Sequence, residues 1–357
     1  MRILLVRLRL IGDVVFTTPV IGALRRQYPA AHLAYLVESA AAPVVRHNPN
    51  LSEVIAIEHR RGWRRVRDDL SVARRLRASR FDLVIDLHGG PRSAWLTWAT
   101  RAPRRVGYDV PGRSWMYTHV VHRPRTLRGG HSVENQWELL ATVDPAFAAP
   151  PDRRANRVEM PVDPSARDTI ERRLASLGVP PGARLVIMHV SAGNPFRRWP
   201  EAAFAAVAAG VVASAPDRWV VLTGGPSDRA AAGRIVAAAR HAAGPAAARI
   251  LDAEDWSLAE LRAVLDRAAL FIGGDSGPLH IASTSDVPIV GIYGPTLPHR
   301  SAPWRPHDIP TVSIDAGDLP CRPCDQRVCA PGDFRCLGLV SAGAVQNAAL
   351  QLLEASR

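Results

Sequence analysis

The chain contains no lysine. All 45 of its basic residues are arginine, and set against 33 acidic residues they give a formal net charge of +12. Beside Ala-rich runs such as AAAGRIVAAARHAAGPAAAR, this reads as a compositional bias, so the charge alone does not mark a nucleic-acid binder. It leaves a surface attractive to phosphate-bearing partners. Long hydrophobic runs are missing too: no apolar stretch approaches the roughly 20 residues of a membrane span. The opening MRILLVRLRLIGDVVF is interrupted by Arg7, Arg9 and Asp13, which a signal-peptide core would avoid, so a cytoplasmic protein is expected. Glycine does not form the dinucleotide fingerprint G-x-G-x-x-G after the first apolar run, which continues as LRLIGD. The basic residues lack the interleaved aromatics of a single-strand platform, so no nucleic-acid partner is expected.

Cysteine is confined to CRPCDQRVCAPGDFRC, where Cys321, Cys324, Cys329 and Cys336 follow the spacing C-x2-C-x4-C-x6-C. Four clustered thiols with an initial C-x2-C can hold a tetrahedral zinc, although the spacing departs from the usual paired C-x2-C arrangement. The alternative is a reduced structural loop before the last helix. This is the reading adopted, with no cofactor expected.

What is present is an alternation of short apolar runs with helical patterns, the signature of parallel sheets covered by helices. RILLVR, HLAYLV, EVIAI and FDLVIDLH serve as strands in the first half, and ARLVIMHV, DRWVVLTGG, AALFIGG and VPIVGIYG in the second. Between them, DPAFAAPPDRRANRVEMPVDPS is rich in Pro and Asp and has no periodicity, so it reads as a linker. The sequence thus predicts an α/β protein of two doubly wound domains, residues 1–160 and 161–340, followed by a C-terminal helix over 341–357.

In such sheets ligands bind where strands end and helices begin. Two junctions are too unusual to be plain connections. In VRLRLIGDVVFTTPVIGALRR, Gly12 allows a tight turn and Pro19 suits the opening of a helix, while Asp13 is either a helix cap or an acid placed to take a proton from a bound hydroxyl. In GGDSGPLHIAS, Gly273 and Gly274 end a strand, and Ser276, Gly277 and Pro278 start a helix carrying Leu279 and His280. Glycines there admit a diphosphate to the backbone. Asp275 would repel that anion, so its use is to accept hydrogen bonds from adjoining sugar hydroxyls; a capped helix with a buried His280 is the alternative.

These segments, together with DLVIDLHGGPRSAW, SAGNPFRRWP and LTGGPSD, occur in the order seen in glycosyltransferase family 9, the ADP-heptose:lipopolysaccharide heptosyltransferases, which the chain resembles along essentially its whole length. The resemblance implies a GT-B fold, two Rossmann-like domains facing across a cleft, with the final helix packing back toward the first domain. It also implies inverting transfer of a sugar from a nucleotide diphosphate, ADP-heptose by family habit, with no obligatory metal. The family's general base falls on Asp13, with Gly12 beside it, and its sugar- and phosphate-contacting motif on Asp275, Ser276, Gly277, Pro278, Leu279 and His280. Its donor-phosphate lysine falls on Arg197, in the loop with Gly193 and Asn194, a departure that keeps the charge and changes reach and geometry.

The family's acceptors carry phosphates and acidic sugars. Arg60, Arg61 and Arg64 precede or open a helix whose apolar series is Trp63, Val66, Leu70 and Ala73, and with Arg92 they are the acceptor-binding candidates. His88 reads as structural, and His131 and Glu134 as cleft residues or helix caps. The expected partners are a nucleotide-sugar donor, a phosphorylated or acidic glycolipid acceptor and the inner-membrane surface. A different nucleotide sugar, or a noncatalytic nucleotide-sugar or nucleic-acid binder, remains as an alternative.

Overall fold

The computed structural model describes the chain except residues 123–129, 191–193, 254–255 and 356–357. It divides into two compact units, Met1–Pro161 and Val162–Arg357.

The first unit is a parallel sheet of β1 (Arg2–Val6), β2 (His32–Glu38), β3 (Glu53–Ile57), β4 (Leu83–Asp86), β5 (Arg104–Tyr108) and β6 (His119–Val121). Its helices are α1 (Ile11–Val15), α2 (Thr18–Gln27), α3 (Gly62–Ala78), α4 (Pro91–Ala99) and α5 (Ser132–Ala141). The strand order is β3-β2-β1-β4-β5-β6. A central parallel strand is covered on both faces and therefore reads as a continuous apolar run, as Ile3, Leu4, Leu5 and Val6 do with no exposed surface.

The second unit repeats the plan with β7 (Arg184–His189), β8 (Arg218–Thr223), β9 (Ile250–Ala253), β10 (Ala268–Gly274), β11 (Ile289–Tyr293) and β12 (Thr311–Asp315). Its helices are α6 (Pro164–Ser176), α7 (Glu201–Ala213), α8 (Arg229–Ala243), α9 (Leu258–Leu265), α10 (Gly277–Ala282), α11 (Pro298–Ser301), α12 (Arg335–Gly338) and α13 (Ala342–Ala355). The order β12-β11-β10-β7-β8-β9 is the first sheet's order read from the other edge. In each sheet the chain builds outward from one central strand and then returns to add the rest on its other side. The reversal falls between β1 and β4, and between β7 and β10. At such a switch point neighbouring connections leave toward opposite faces and open a crevice at the carboxyl ends of the strands.

Helix α7, EAAFAAVAAGVVA, is apolar nearly all round because it is covered on several sides, packing on α8, β8 and α13. The C-terminal helix α13 buries Val345, Ala348, Ala349 and Leu353 in the second unit's own core, against α7 and β10 to β12. The segment read as a linker is fastened to the first unit. Trp137 in α5 donates its indole N–H to the carbonyls of Phe147 and Ala149, Thr18 accepts from the Glu159 backbone N–H at 2.8 Å, and Val158 and Met160 are buried.

Helix α3 forms at its apolar spacing, but of the series Trp63, Val66, Leu70 and Ala73 only the last is buried: Trp63, Val66 and Leu70 are 84%, 46% and 43% exposed. The inward side is Ala73 and Leu76, with Val72 beside them and Asp69 buried. An apolar residue every third or fourth position identifies a helix face, but not what that face meets.

Candidate active site

In the first unit, β1 delivers Arg7 to the switch point and α1 follows at once. Asp13 stands in the first turn of α1, three residues past the N-cap Leu10, so it does not cap the helix. Its carboxylate is instead paired with the Arg7 guanidinium, whose other nitrogens donate to the carbonyls of Leu87 (2.6 Å) and Arg9 (3.1 Å). Arg7 is thus tied to the loops leaving both β1 and β4. The Asp13 side chain keeps 35% of its surface exposed, while Gly12 behind it is buried.

From β4, Asp86 is fully buried and accepts the backbone N–H groups of His88 and Gly89 and the Tyr117 hydroxyl, which fixes the turn that carries His88. Burial, reinforced by the Arg7 charge, pushes the His88 pKa down to about 4, so the ring is neutral at pH 7.

Arg92 does not stand ready for an acceptor. It donates to Asp69 through Nε (2.9 Å) and Nη2 (2.6 Å), to Glu38 through Nη1 (2.8 Å) and to the Glu58 carbonyl (3.1 Å), and all three ionic groups are nearly buried. This network joins α4, α3 and β2. Arg60, Arg61 and Arg64 are exposed at the start of α3, where Arg60 pairs with Asp68 at 3.0 Å. His131 and Glu134 form a capping box on α5, with Nδ1 of His131 accepting from the Val133 N–H and Glu134 accepting from the His131 N–H.

In the second unit the loops leaving β7 and β10 meet side by side. Gly193 lies outside the described residues. Asn194 caps the short turn after it by accepting the Phe196 N–H, and its amide donates to Gln326 Oε1 at 2.7 Å. The same oxygen accepts from Arg197 Nε at 2.8 Å. Arg197 Nη1 donates to the Asp275 carbonyl at 3.0 Å and lies 3.3 Å from its carboxylate. A Cβ on Gly274 would stand 3.3 Å from the Arg197 carbonyl, so the close approach of the two loops favours glycine there.

Asp275 is 2% exposed, and its carboxylate also meets His280 Nε2 at 3.3 Å and the Thr296 hydroxyl at the end of β11. Burial alone would raise its pKa. The His280 hydrogen bond and charge, then Arg197 and Thr296, outweigh burial and hold it at about 2. Ser276 is the N-cap of α10 yet makes no side-chain cap bond, Gly277 and Pro278 form the first turn, and Leu279 and His280 are buried. Asp275, Ser276, Gly277, Pro278, Leu279, His280, Asn194 and Arg197 are therefore brought to one crevice.

Sequence reasoning missed two residues of this cluster. Thr296 had a signal, since IYGPT ends the strand next to β10. Gln326 had none, since it lies inside the cysteine segment, in a left-handed conformation at φ 59°. All four cysteines, with Phe196, Pro295 and Phe334, line a cavity of about 110 Å³. Among the described residues no group of three or more His, Cys, Asp or Glu is placed to hold a metal ion. The loop is fixed to the β7 exit by Gln326 and by an edge-on contact of Phe196 with Phe334, ring centroids 5.2 Å apart.

Two Rossmann-like α/β units of matching strand order, each with its polar cluster at the switch point, constitute the GT-B fold of glycosyltransferases. The chain belongs to glycosyltransferase family 9 (heptosyltransferase), whose family model matches residues 70–332, and it is a glycosyltransferase. It is 29% identical over 329 residues to lipopolysaccharide heptosyltransferase 3 of Escherichia coli, covering 90% of this chain and 91% of that one. Among solved structures it is similar to a family 9 glycosyltransferase from Veillonella parvula, with TM-score 0.84, 24% identity and coverage of 99% and 97% of the two chains. It is also similar to E. coli heptosyltransferase WaaC with ADP-2-deoxy-2-fluoro heptose, with TM-score 0.68, 22% identity and full coverage of both chains (100% each).

Two outcomes follow from this geometry. Arg92→Ala removes the nearly buried cation shared by Glu38 and Asp69, leaving Asp69 only the exposed Arg65 at 3.5 Å and Glu38 only His59, and loses about 3 kcal/mol of stability in denaturant unfolding, with nucleoside diphosphate affinity unchanged. The folded-state pKa of Asp275 is depressed, so its ionised form stabilises the fold above the unfolded value near 3.8, and that contribution disappears as pH falls toward about 2. Thermal midpoints measured against pH should drop less steeply between about pH 4 and 2 in Asp275→Asn than in the parent protein.

Proposed function

We propose that the protein transfers heptose from ADP-heptose, with inversion, to a phosphorylated or acidic glycolipid of the lipopolysaccharide-core type. The carrying observation is the Arg197 guanidinium held between Gln326 and Asp275 at the β7–β10 switch point, on the unit where the family resemblance puts the donor. The donor identity draws on WaaC, whose structure holds an ADP-heptose analogue, and the acceptor class on the lipopolysaccharide heptosyltransferases among the relatives.

An acceptor hydroxyl has a pKa far above 7 and needs a base as its oxygen bonds to the anomeric carbon. Asp13 takes that proton: about a third of its side-chain surface is exposed, and Arg7 fixes its position without capping it into the helix. In a transition state resembling an oxocarbenium ion the bond to the diphosphate is largely broken before the acceptor oxygen becomes strongly acidic. The base then acts late, and the principal demand is to stabilise the departing charge. Arg197 meets it as a fixed cation, which costs little reorganisation during the reaction. Asp275, kept ionised, accepts from hydroxyls of the donor, and His280 orients it. Arg60, Arg61 and Arg64 attract the phosphates of the acceptor.

Mass spectrometry of products, with a panel of nucleotide sugars and a lipid-free core saccharide, tests the sugar. Product from ADP-heptose well above that from any other donor is the expected result, and preference for another donor rejects the assignment. Asp13→Asn should keep ADP affinity and lose about 100-fold or more in turnover, whereas turnover within a few-fold of the parent removes Asp13 from the base role. By calorimetry, Arg197→Ala should weaken ADP binding about tenfold. Gln326→Ala should weaken it less, and should add little in the Arg197→Ala background because it acts through that side chain. Unchanged affinity in Arg197→Ala would restrict the residue to holding Asp275.

A further inference from the structure

The proposed function leaves unexplained the outer face of α3. Trp63, Val66 and Leu70 are separated by three and four residues, share one side of the helix and are exposed. The core contact of α3 is made by Ala73 and Leu76, supported by Val72, so the stripe is not a frayed part of the core. Around it the charge is strongly one-sided. Between positions 60 and 78 there are eight arginines and two aspartates, and Asp69 is turned inward to Arg92. Arg60 and Arg75 are paired with Asp68 and Glu53, whereas Arg61, Arg64, Arg74 and Arg77 have no ion-pair partner among the described residues.

We infer that α3 is a docking surface for an anionic bilayer, lying in the plane of the headgroups with Trp63, Val66 and Leu70 inserted and its arginines on lipid phosphates. A helix of 17 residues is about 25 Å long and, carrying this many charges, lies on a membrane and does not cross it. Tryptophan prefers the boundary between headgroup and chain, and arginine stems reach along apolar surface while the guanidinium stays with phosphate. A nucleic-acid backbone would use the arginines and leave Val66 and Leu70 without a partner. A second copy of the chain would set two faces of the same charge against each other. The docking deepens the proposed function, because it rests for its purpose on a glycolipid acceptor that is presented at a bilayer.

The test is co-sedimentation of the full chain with vesicles of phosphatidylethanolamine and phosphatidylglycerol, and with phosphatidylcholine alone. The parent protein should partition to the anionic vesicles and not to phosphatidylcholine. The double variant Trp63→Ser, Leu70→Ser should lose about tenfold in partition, and Arg74→Gln, Arg77→Gln should lose a similar factor at low salt. Both variants should keep the parent's thermal midpoint and its turnover on a lipid-free core saccharide. Partition of the Trp63, Leu70 variant equal to the parent's overturns the proposal. So does a parent protein that ignores anionic vesicles, or one retained by an oligonucleotide and not by vesicles. Vesicle binding lost as described, in a protein with no transfer to the lipid-free saccharide, supports the docking surface and counts against the proposed function alone.

Discussion

The ionised Asp275, buried where β10 ends, is the constraint around which the second unit is arranged. A carboxylate without access to water is tolerated only when its charge is answered from several directions, and here the answers come from three different segments. His280 comes from the helix that follows, Arg197 from the exit of β7, and Thr296 from the end of β11. Satisfying one side chain thereby pulls three loops together. Arg197, once drawn in, exposes a second need for an acceptor at Nε, which Gln326 meets from far along the chain. The fixed position of the Arg197 guanidinium is a by-product of neutralising an acid.

The first unit solves a related problem with opposite polarity. Its central group is a cation, Arg7, satisfied by two carbonyls and by Asp13. One carboxylate is sealed and held ionised down to about pH 2; the other keeps about a third of its surface in contact with solvent. That difference separates a residue suited to holding a ligand from one suited to exchanging a proton with it. Matching strand orders bring both groups to the switch point of their own sheet, Asp13 after its first strand and Asp275 after its fourth, so the fold supplies the location and the surroundings set the exposure.

Much of this was legible in the sequence because the central strands are apolar throughout and the glycine-rich exits have few uses. β1, β4, β7 and β10, with Asp13, Asp275 and His280 at their ends, announce themselves this way. The edge strands β6 and β9, three and four residues long, carry too little pattern, and β5 and β12 mix arginine, threonine and aspartate into theirs. Arg92 illustrates a second limit. An arginine at a strand exit looks the same in one dimension whether it faces a ligand or two carboxylates 23 and 54 residues away. Gln326 shows a third, since nothing in CDQRVC indicates that its amide completes a site built more than a hundred residues earlier. The stripe on α3 was legible as a helical series, but the exposure of Trp63, Val66 and Leu70 was not, because periodicity reports geometry and not neighbours.

The Arg92 network also has a meaning for a chain without lysine. A buried lysine can shed its proton and become neutral when its surroundings change, whereas guanidinium holds its proton at any pH a protein survives. The cation between α4, α3 and β2 is thus a permanent one. The knot therefore cannot dissolve into neutral groups by giving up the proton of its cation: any opening of the first unit that parts Arg92 from Glu38 and Asp69 strands a positive charge there, and water must enter to reach it.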